Sequence, residues 1–286
     1  MEVTVAADLE CGCGERPTWV DGKLYFTDVE NPALYLYDSA DGTTRQVYRG
    51  PEVVGGLTLH EDGRLLLFMA RGAIGLWSEE SGIETLLEGI EGEEESRFND
   101  VFADPAGRVF GGTMPTGDRG GRLYRWDPDG QLNLLLEQAG MPNGMGLSSD
   151  LRWFYRTDTE ARTIYRHTYD ISTGDLGPSE VLVPPPRVDG NPDGLAVDQE
   201  GCLWSAQYGG HRLVRYAPDG REMSHIPLPM AENPTCPSFA GQGSPTLYLT
   251  TAGGGYRPQA GTAAGALLRI DLPVGGGPTY RSRGGL

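Results

Sequence analysis

Residues 18–42 read TWVDGKLYFTDVENPALYLYDSADG, and this stretch contains most of the structural unit that decides the fold. A short apolar segment is followed by an Asp-Gly turn, by an aromatic-rich segment, and by a further segment that ends in Tyr-Asp before a polar turn. Asp-Gly pairs between short aromatic and aliphatic runs are a strong local signal for β-hairpins. The stretch therefore predicts three consecutive antiparallel strands.

The same unit recurs five more times along the chain. The further copies lie at residues 57–82, 101–130, 145–170, 195–220 and 238–272, and the last is the most degenerate. A weaker fourth strand is predicted in several units, at residues 45–48, 132–137 and 222–226. Four-stranded units repeated every ~40–50 residues are typical of β-propellers. We predict an all-β fold, a six-bladed β-propeller with four-stranded antiparallel blades, as a single domain over residues 1–286.

Both ends of the chain are expected to contribute to the last blade. Residues 3–9 form an apolar-polar run typical of a strand, and residues 279–282 form a second, shorter segment. Pairing of both segments there would close the ring and remove an exposed sheet edge.

The charge of the chain limits the classes of partner. The sequence has 40 acidic and 23 basic residues, with a net charge of −17. Such a surface repels nucleic-acid phosphates and anionic lipids, so we expect neither a nucleic-acid nor a membrane partner. The acidic run EGEEE at residues 91–95 is interpreted as an exposed loop.

The N-terminal sequence and the cysteines indicate a cytoplasmic protein. The first ten residues, MEVTVAADLE, lack the basic and apolar regions of a secretory signal, and no apolar run is long enough to span a membrane. Two of the four cysteines, Cys11 and Cys13, are too close in sequence for an easy disulfide. Reduced thiols are therefore expected.

The repeats also predict a polar cluster on the propeller axis. In each repeat one residue precedes the innermost strand at a similar distance from the turn glycine, and these residues are Glu15, Gly55, Asn99, Asn143, Asp193 and Cys236. Four of the six have side-chain oxygens, which would converge from four blades. Two carboxylates and two amides suit a divalent cation that prefers oxygen ligands. The alternative is that these residues only cap the turns that lead into the strands.

Four segments carry a resemblance to a known family. They are CGERPTW (13–19), RFNDVFADPAGRVFGGTM (97–114), PNGMGLSSDLRWFYRTDT (142–159) and NPDGLAVDQEGCLWSAQYGG (191–210). The sequence resembles the family that joins senescence marker protein (regucalcin), gluconolactonase and luciferin-regenerating enzyme. The resemblance implies a six-bladed propeller with one divalent metal ion on its axis and sugar-lactone hydrolysis as the activity.

The resemblance also implies roles for individual residues. Glu15, Asn143 and Asp193 match the metal ligands, and Asn99 matches a residue at or next to the metal that contacts substrate. Arg97 matches an arginine that binds the sugar lactone, and Asp193 matches the candidate general base. Calcium is the first expectation for the metal, with magnesium, manganese or zinc as alternatives. Asp193 either binds the cation through one oxygen and acts as base through the other, or leaves the role of base to a hydroxide bound to the cation.

Two positions of the chain, 16 and 156, differ from the expected pattern. The chain has Arg16 where the family has glycine, which is expected to lower cation affinity unless the side chain points outward or binds substrate. Arg156 stands where an apolar or aromatic residue is expected. One rival function is a phosphotriesterase-type hydrolase on the same metal site, and another is a non-catalytic metal-binding propeller. The expected partner is a small-molecule lactone, and the chain is expected to be a monomer or a weak homo-oligomer.

Overall fold

The computed structural model describes residues 2–185 and 190–284, and its strands form six four-stranded antiparallel sheets. A single 3-10 turn, Gly254–Tyr256, and a short helix, α1 (Arg257–Ala260), follow the penultimate strand. In chain order the strands are β1 (Val3–Ala7), β2 (Gly14–Val20), β3 (Lys23–Asp28), β4 (Ala33–Asp38), β5 (Thr44–Arg49), β6 (Val54–Leu59), β7 (Leu65–Met69), β8 (Ile74–Ser78), β9 (Gly82–Leu87), β10 (Phe98–Ala103), β11 (Val109–Thr113), β12 (Gly121–Trp126), β13 (Leu132–Gly140), β14 (Pro142–Leu147), β15 (Trp153–Asp158), β16 (Thr163–Tyr169), β17 (Leu176–Val183), β18 (Asn191–Val197), β19 (Leu203–Tyr208), β20 (Arg212–Tyr216), β21 (Glu222–Pro227), β22 (Asn233–Phe239), β23 (Thr246–Ala252) and β24 (Leu267–Asp271).

The six sheets are the blades of a propeller, which confirms the predicted fold class. One edge strand of each sheet contacts the corresponding strand of the next sheet, and these contacts close into a ring of six inner strands, β2, β6, β10, β14, β18 and β22. Five blades consist of four consecutive strands, while the sixth has the order β1-β24-β23-β22. The starts of the six inner strands therefore meet at one mouth of a central channel, and their ends meet at the other.

The local structure follows from the turn chemistry of the repeat. Asp21 and Gly22 connect β2 to β3 with φ values of 45° and 89°. Positive φ at both central residues defines the hairpin turn whose twist matches that of the flanking strands, and Asp-Gly supplies it with little strain.

In the second blade, burial decreases from the inner to the outer strand. In the second blade every residue of β6 and β7 is buried, whereas β9 is exposed or half-buried throughout. The inner strand β6 lies between β2 and β10 of the neighbouring blades, which explains its continuous burial. The core thus lies between blades. Phe68 of the second blade and Phe98 of the third, for example, pack edge to face with ring centroids 5.0 Å apart.

Arg156 lies in this interior although the pattern of the repeat predicts an apolar residue. The side chain is buried, its Nη1 donates to the carbonyl of Ala139 over 2.7 Å, and the guanidinium carbon lies 5.0 Å from the ring centroid of Tyr165. A main-chain acceptor and an aromatic face thus accommodate the charge, with a cation–π contact worth ~1–2 kcal/mol.

The prediction for the N-terminal strand is confirmed, and the prediction for the C-terminal segment is wrong. β1 pairs with β24 and completes the sixth blade. The segment at residues 279–282 does not join that blade. Ser282 instead pairs with His60 of the second blade, its N–H donates to Leu59 over 2.9 Å, and the N–H of Arg283 donates to Gly107 of the third. We call residues 276–284 the C-terminal strap, because they run from the fifth and sixth blades, where Gly276 pairs, to the second and third.

The interpretation of residues 91–95 as an exposed loop is wrong for its central residue. Glu93 is fully buried, while Glu91, Glu94 and Glu95 are exposed as expected. Two arginines and a tyrosine that the sequence does not mark as partners surround the Glu93 carboxylate. Among the described residues no helix is long and apolar enough to cross a bilayer.

Candidate active site

A β-bulge interrupts each inner strand close to the predicted axial position. The pairing register shifts between Glu15 and Thr18, between Asn143 and Met145, and at matching places in the other four inner strands. Bulges redirect side chains and are common beside active sites. Here they occur at the mouth where the inner strands begin.

Neighbouring inner strands approach closely at this mouth. A Cβ atom on Gly144 would lie 2.5 Å from the carbonyl oxygen of Asp193, and one on Gly55 would lie 1.7 Å from the carbonyl oxygen of Phe98. Only glycine allows backbones to come so near. The predicted axial position Gly55 therefore has a packing role, and Cys236, also in the ring, is completely buried.

Three of the predicted site residues form a hydrogen-bonded row across adjacent blades. The Nδ2 of Asn143 donates to Oδ1 of Asp193, and the Oδ1 of Asn143 accepts from the N–H of Gly144 over 3.0 Å. The Nδ2 of Asn99 donates over 3.0 Å to the carbonyl of Pro142, the residue before Asn143. The structure therefore brings Asn99, Asn143 and Asp193 together.

Arg97 lies at the end of this row. Its Nη1 donates to Oδ1 of Asn99 and to the carbonyl of Phe98, both over 2.9 Å. The positive charge of Arg97 lowers the pKa of both Glu15 and Asp193, although burial raises them more. Burial in turn lowers the pKa of Arg97 itself. The arginine therefore shares one electrostatic environment with both carboxylates.

Glu15 faces the same space from the first blade and interacts with Asp193 through charge. Burial raises the pKa of Glu15 to about 8, and the negative charge of Asp100 adds to the effect. Burial also raises the pKa of Asp193 well above its ordinary range, and the charges of Glu15 and Asp100 add to this. Neither Glu15 nor Asp193 forms an ion pair with any arginine or lysine in residues 2–185 and 190–284.

The donor set fits a divalent cation. Two partly desolvated carboxylates without an ion-pair partner repel each other, and a 2+ charge between them removes that repulsion. Within the described part of the chain no three His, Cys, Asp or Glu side chains gather at one point, so the amide oxygens of Asn143 and Asn99 would have to complete the set. Oxygen-only ligands of this kind suit calcium, magnesium or manganese.

Asp100 is a third carboxylate on the axis that the sequence analysis missed. Its side chain is 2% exposed, its Oδ1 accepts from the N–H of Val101, and its charge acts on Glu15, Asp193 and Cys236. Adjacent strand residues normally face opposite sides, so Asn99 and Asp100 would not both be expected at the axis. The bulge in β10 changes this alternation, and the sequence has no signal for it beyond the neighbouring acid.

Arg16 does not face the two carboxylates. Its Nε lies 3.5 Å from Oδ1 of Asp100 and 3.4 Å from the carbonyl of Leu57, and the side chain lines the far half of the channel. Only its N–H contacts the site, by donating to Oε2 of Glu15 over 3.1 Å. Its side chain thus lies away from the mouth, although its charge still lowers the pKa of Glu15, and its effect on cation affinity stays a prediction.

Two more residues of the mouth were not predicted. Burial raises the pKa of the Cys13 thiol well above its ordinary value. The negative charges of Glu15 and Asp193 add to this rise, and the positive charge of Arg97 opposes it. Tyr208 is 38% exposed. Partial burial raises the pKa of its hydroxyl, and the negative charges of Cys13, Asp193 and two acids at the rim, Glu30 and Glu232, add to this. An open depression beside it is lined by Asn191, Tyr208, His211, Glu232 and Asn233.

A separate cavity of about 350 Å³ lies at the other end of the channel. It is lined by the C-terminal strap and by the last residues of the inner strands, Val20, Leu59, Ala103, Leu147, Val197 and Phe239. The predicted site residues Glu15, Arg97, Asn99, Asn143 and Asp193 do not line it. The candidate site is therefore the polar mouth where the inner strands begin.

A six-bladed propeller with carboxylates and amides converging at one mouth defines the class of protein. The chain belongs to the SMP-30/gluconolactonase/LRE-like family, whose model matches residues 13–253. This confirms the family resemblance.

Individual relatives are similar over nearly the whole chain. Pentonolactonase XacC of Haloferax volcanii is 41% identical, over 99% of this chain and 98% of its own. The 6-deoxy-6-sulfogluconolactonase of Pseudomonas putida is 35% identical, over 84% of this chain and 83% of its own. The crystal structure of a calcium-binding protein, regucalcin, of Agrobacterium tumefaciens superposes with a TM-score of 0.86 at 25% identity, covering 97% of this chain and 96% of its own.

Proposed function

We propose that this chain is a metal-dependent lactonase that opens a sugar lactone. The observation that carries the proposal is the pair of carboxylates, Glu15 and Asp193, which share a desolvated mouth with two amides and have no ion-pair partner among the described residues. The names of relatives support the reaction, since one is a pentonolactonase and another a sulfogluconolactonase. A five- or six-carbon aldonolactone is thus the expected substrate.

Glu15, Asn143 and Asp193 would hold the cation, with Asn99 at or beside it. When bound, a divalent cation supplies Lewis-acid polarisation of the lactone carbonyl and stabilises the negative charge that develops on its oxygen. Calcium is the first candidate, because a regucalcin with the same fold is described as calcium-binding. Magnesium, manganese and zinc remain alternatives.

Arg97 and Asn99 would bind and orient the substrate. The Nη1 of Arg97 is engaged by Asn99 and Phe98, whereas its Nε and Nη2 donate to no residue in the described chain. These two groups can donate to hydroxyl or ring oxygens of a sugar lactone. Asn99 is fixed at both ends, by Arg97 and by Pro142, so the arrangement is ordered before substrate arrives.

Asp193 is the proposed general base. Its Oδ1 is held by Asn143, and its Oδ2 has no hydrogen-bond donor in the described residues. The free oxygen takes a proton from the water that attacks the carbonyl carbon. The tetrahedral intermediate then collapses, the bond between the carbonyl carbon and the ring oxygen breaks, and that oxygen takes the proton from Asp193. The product is the open-chain hydroxy acid.

The test combines metal analysis with a proton-release assay. Purified protein is stripped with a chelator and reloaded with calcium, magnesium, manganese or zinc, and pentono- and hexonolactones are compared with phosphotriesters. The proposal expects lactone hydrolysis that is lost on stripping and restored by one of these ions. Turnover of phosphotriesters alone would support the rival hydrolase, and metal binding without turnover would support a non-catalytic propeller.

Two variants separate the roles within this proposal. D193N is expected to lose turnover by roughly 10²–10⁴-fold, the range for removing a general base. E15Q is expected to weaken cation binding first. Full lactonase turnover by D193N would refute the assignment of Asp193.

A further inference from the structure

Glu93 is a buried carboxylate held by three side chains outside the candidate site. Its Oε1 accepts from the hydroxyl of Tyr124 over 2.9 Å, and its Oε2 accepts from Nη2 of Arg119 over 2.9 Å. Further donors to Oε1 are Nη1 of Arg119 at 3.2 Å and Nη1 of Arg122 at 3.4 Å. Glu93 is fully buried, while the two arginines keep about a fifth of their side chains exposed.

This charge cluster joins two segments that are distant in the blade. Glu93 belongs to the connection between β9 and β10, whereas Arg119, Arg122 and Tyr124 belong to the β11–β12 hairpin. Charge-assisted hydrogen bonds are about twice as strong as neutral ones, and a carboxylate between two guanidinium groups also removes their mutual repulsion. The cluster therefore fixes the distance between the connection and the hairpin.

Both segments hold the backbone of Arg97. The carbonyl of Glu93 accepts from the N–H of Ser96 over 2.9 Å, which forms the turn directly before Arg97. From the hairpin, the N–H of Met114 donates to the carbonyl of Arg97 over 2.9 Å. The hydroxyl of Ser96 also donates over 2.8 Å to the carbonyl of Met114, which ties the two segments together at this point.

We propose that Glu93 is a positioning residue for Arg97, an inference that rests on the proposed substrate role of Arg97. Arginine side chains have many rotamers, and holding one in a productive orientation requires a fixed backbone and fixed hydrogen-bond partners. Asn99 and Phe98 hold the guanidinium from one side. The Glu93 cluster holds the main chain from which that guanidinium projects.

E93Q tests the proposal because it keeps the size of the side chain and removes the charge. Steady-state kinetics with glucono-1,5-lactone in excess calcium are expected to show a KM raised by roughly tenfold with kcat changed less than about twofold, since substrate binding is weakened without loss of the chemical groups. E95Q, in the exposed part of the same run, is the matched control and keeps wild-type constants.

A double-mutant comparison separates positioning from a purely structural role. In an R97A background, E93Q is expected to change KM by less than about twofold, because the residue through which Glu93 acts is gone. Equal effects of E93Q in both backgrounds would overturn the proposal. So would a wild-type KM in E93Q when R97A raises KM.

Two further outcomes are also decisive. A wild-type KM in R97A would refute the proposed substrate role of Arg97 and, with it, this inference. If E93Q does not fold, Y124F removes one hydrogen bond to the same carboxylate and is expected to raise KM by about threefold. A wild-type KM in folded Y124F would then overturn the positioning role.

Discussion

The Nε of Arg16 lies 3.5 Å from Oδ1 of Asp100, and this pair spans the channel below the candidate site. The Arg16 side chain is 16% exposed and that of Asp100 is 2% exposed. Burial raises the pKa of Asp100, and the positive charge of Arg16 opposes the rise. The charge of Arg16 thus offsets that of Asp100, one of the three axial carboxylates, and leaves the charges of Glu15 and Asp193 for the proposed divalent cation.

Removing Arg16 is expected to destabilise the fold through Asp100. R16M leaves a buried carboxylate without its counter-charge, and we expect a loss of about 2–4 kcal/mol in the free energy of unfolding. D100N in the R16M background should restore most of that loss. Urea unfolding of the metal-free proteins measures both, with R152M, which removes an exposed arginine 4.0 Å from Asp150, as the surface control. R16M as stable as wild type would contradict this account.

Cation affinity is expected to rise with pH up to about pH 8. Glu15 must lose its proton to bind a cation, and its pKa in the metal-free protein is raised from 4.5 to about 8. Below that value affinity should increase about tenfold per pH unit for each proton displaced. Isothermal titration with calcium from pH 6 to pH 9 measures the slope. An affinity independent of pH would contradict the account of Glu15 as a ligand whose pKa is raised by burial.

The same pKa predicts the pH dependence of stability in the metal-free protein. The folded-state pKa of Glu15 lies above the ordinary value, so the folded state binds more protons than the unfolded state between about pH 4.5 and pH 8. Stability should therefore fall as pH rises through this window, and E15Q should flatten the fall. Thermal unfolding in chelator across the window provides the measurement, and a stability that increases with pH would argue against a desolvated Glu15.

Anionic lactones are expected to react more slowly than neutral ones. Glu30 and Glu232 place negative charge around Tyr208 at the mouth, and the chain has a net charge of −17. We expect kcat/KM for a 6-phosphorylated aldonolactone to be at least about tenfold below that of its neutral parent at low salt, with the gap narrowing as salt screens the repulsion. Equal rates at low salt would show that the rim charges do not reach the substrate.

The C-terminal strap is expected to contribute to stability and not to catalysis. It borders the cavity at the far end of the channel, and its Tyr280 packs edge to face on Phe102 with ring centroids 6.3 Å apart. Deleting residues 277–286 should lower the free energy of unfolding by several kcal/mol, and Y280A by about 2–4 kcal/mol. Lactonase kcat/KM, measured well below the melting temperature, should change less than about twofold. A loss of turnover in folded Y280A would contradict this prediction, because it would show that the strap at one end of the channel affects catalysis at the other.

The fold, and the approach of Asn99, Asn143 and Asp193 to one another, could be predicted because both depend on the repeat. Turn residues such as Asp21-Gly22 mark the strands locally, and the repeat register places residues such as Asn143 and Asp193 at equivalent points of their blades. Periodic patterns contain this information without any knowledge of tertiary contacts.

Features that depend on contacts between blades could not be predicted. The sequence around Glu93 predicts a solvated acid in an exposed loop. In the fold, two arginines and a tyrosine of the β11–β12 hairpin donate hydrogen bonds to its carboxylate. Asp100 reaches the axis through a bulge that leaves no mark in the sequence. The prediction that residues 279–282 pair with the sixth blade is wrong, because the backbone acceptor of so short a segment, here the carbonyl of Leu59, depends on contacts in the closed ring.

Completing the sixth blade with β1 also determines when the chain can finish folding. The strand at Val3–Ala7 has to wait for its partner at Leu267–Asp271, which lies far along the chain. Such long-range pairing slows folding, and until it forms the nascent protein exposes an unpaired strand to other chains. The sixth blade therefore stays incomplete, and the ring stays open, until Leu267–Asp271 has been synthesised and has paired with β1.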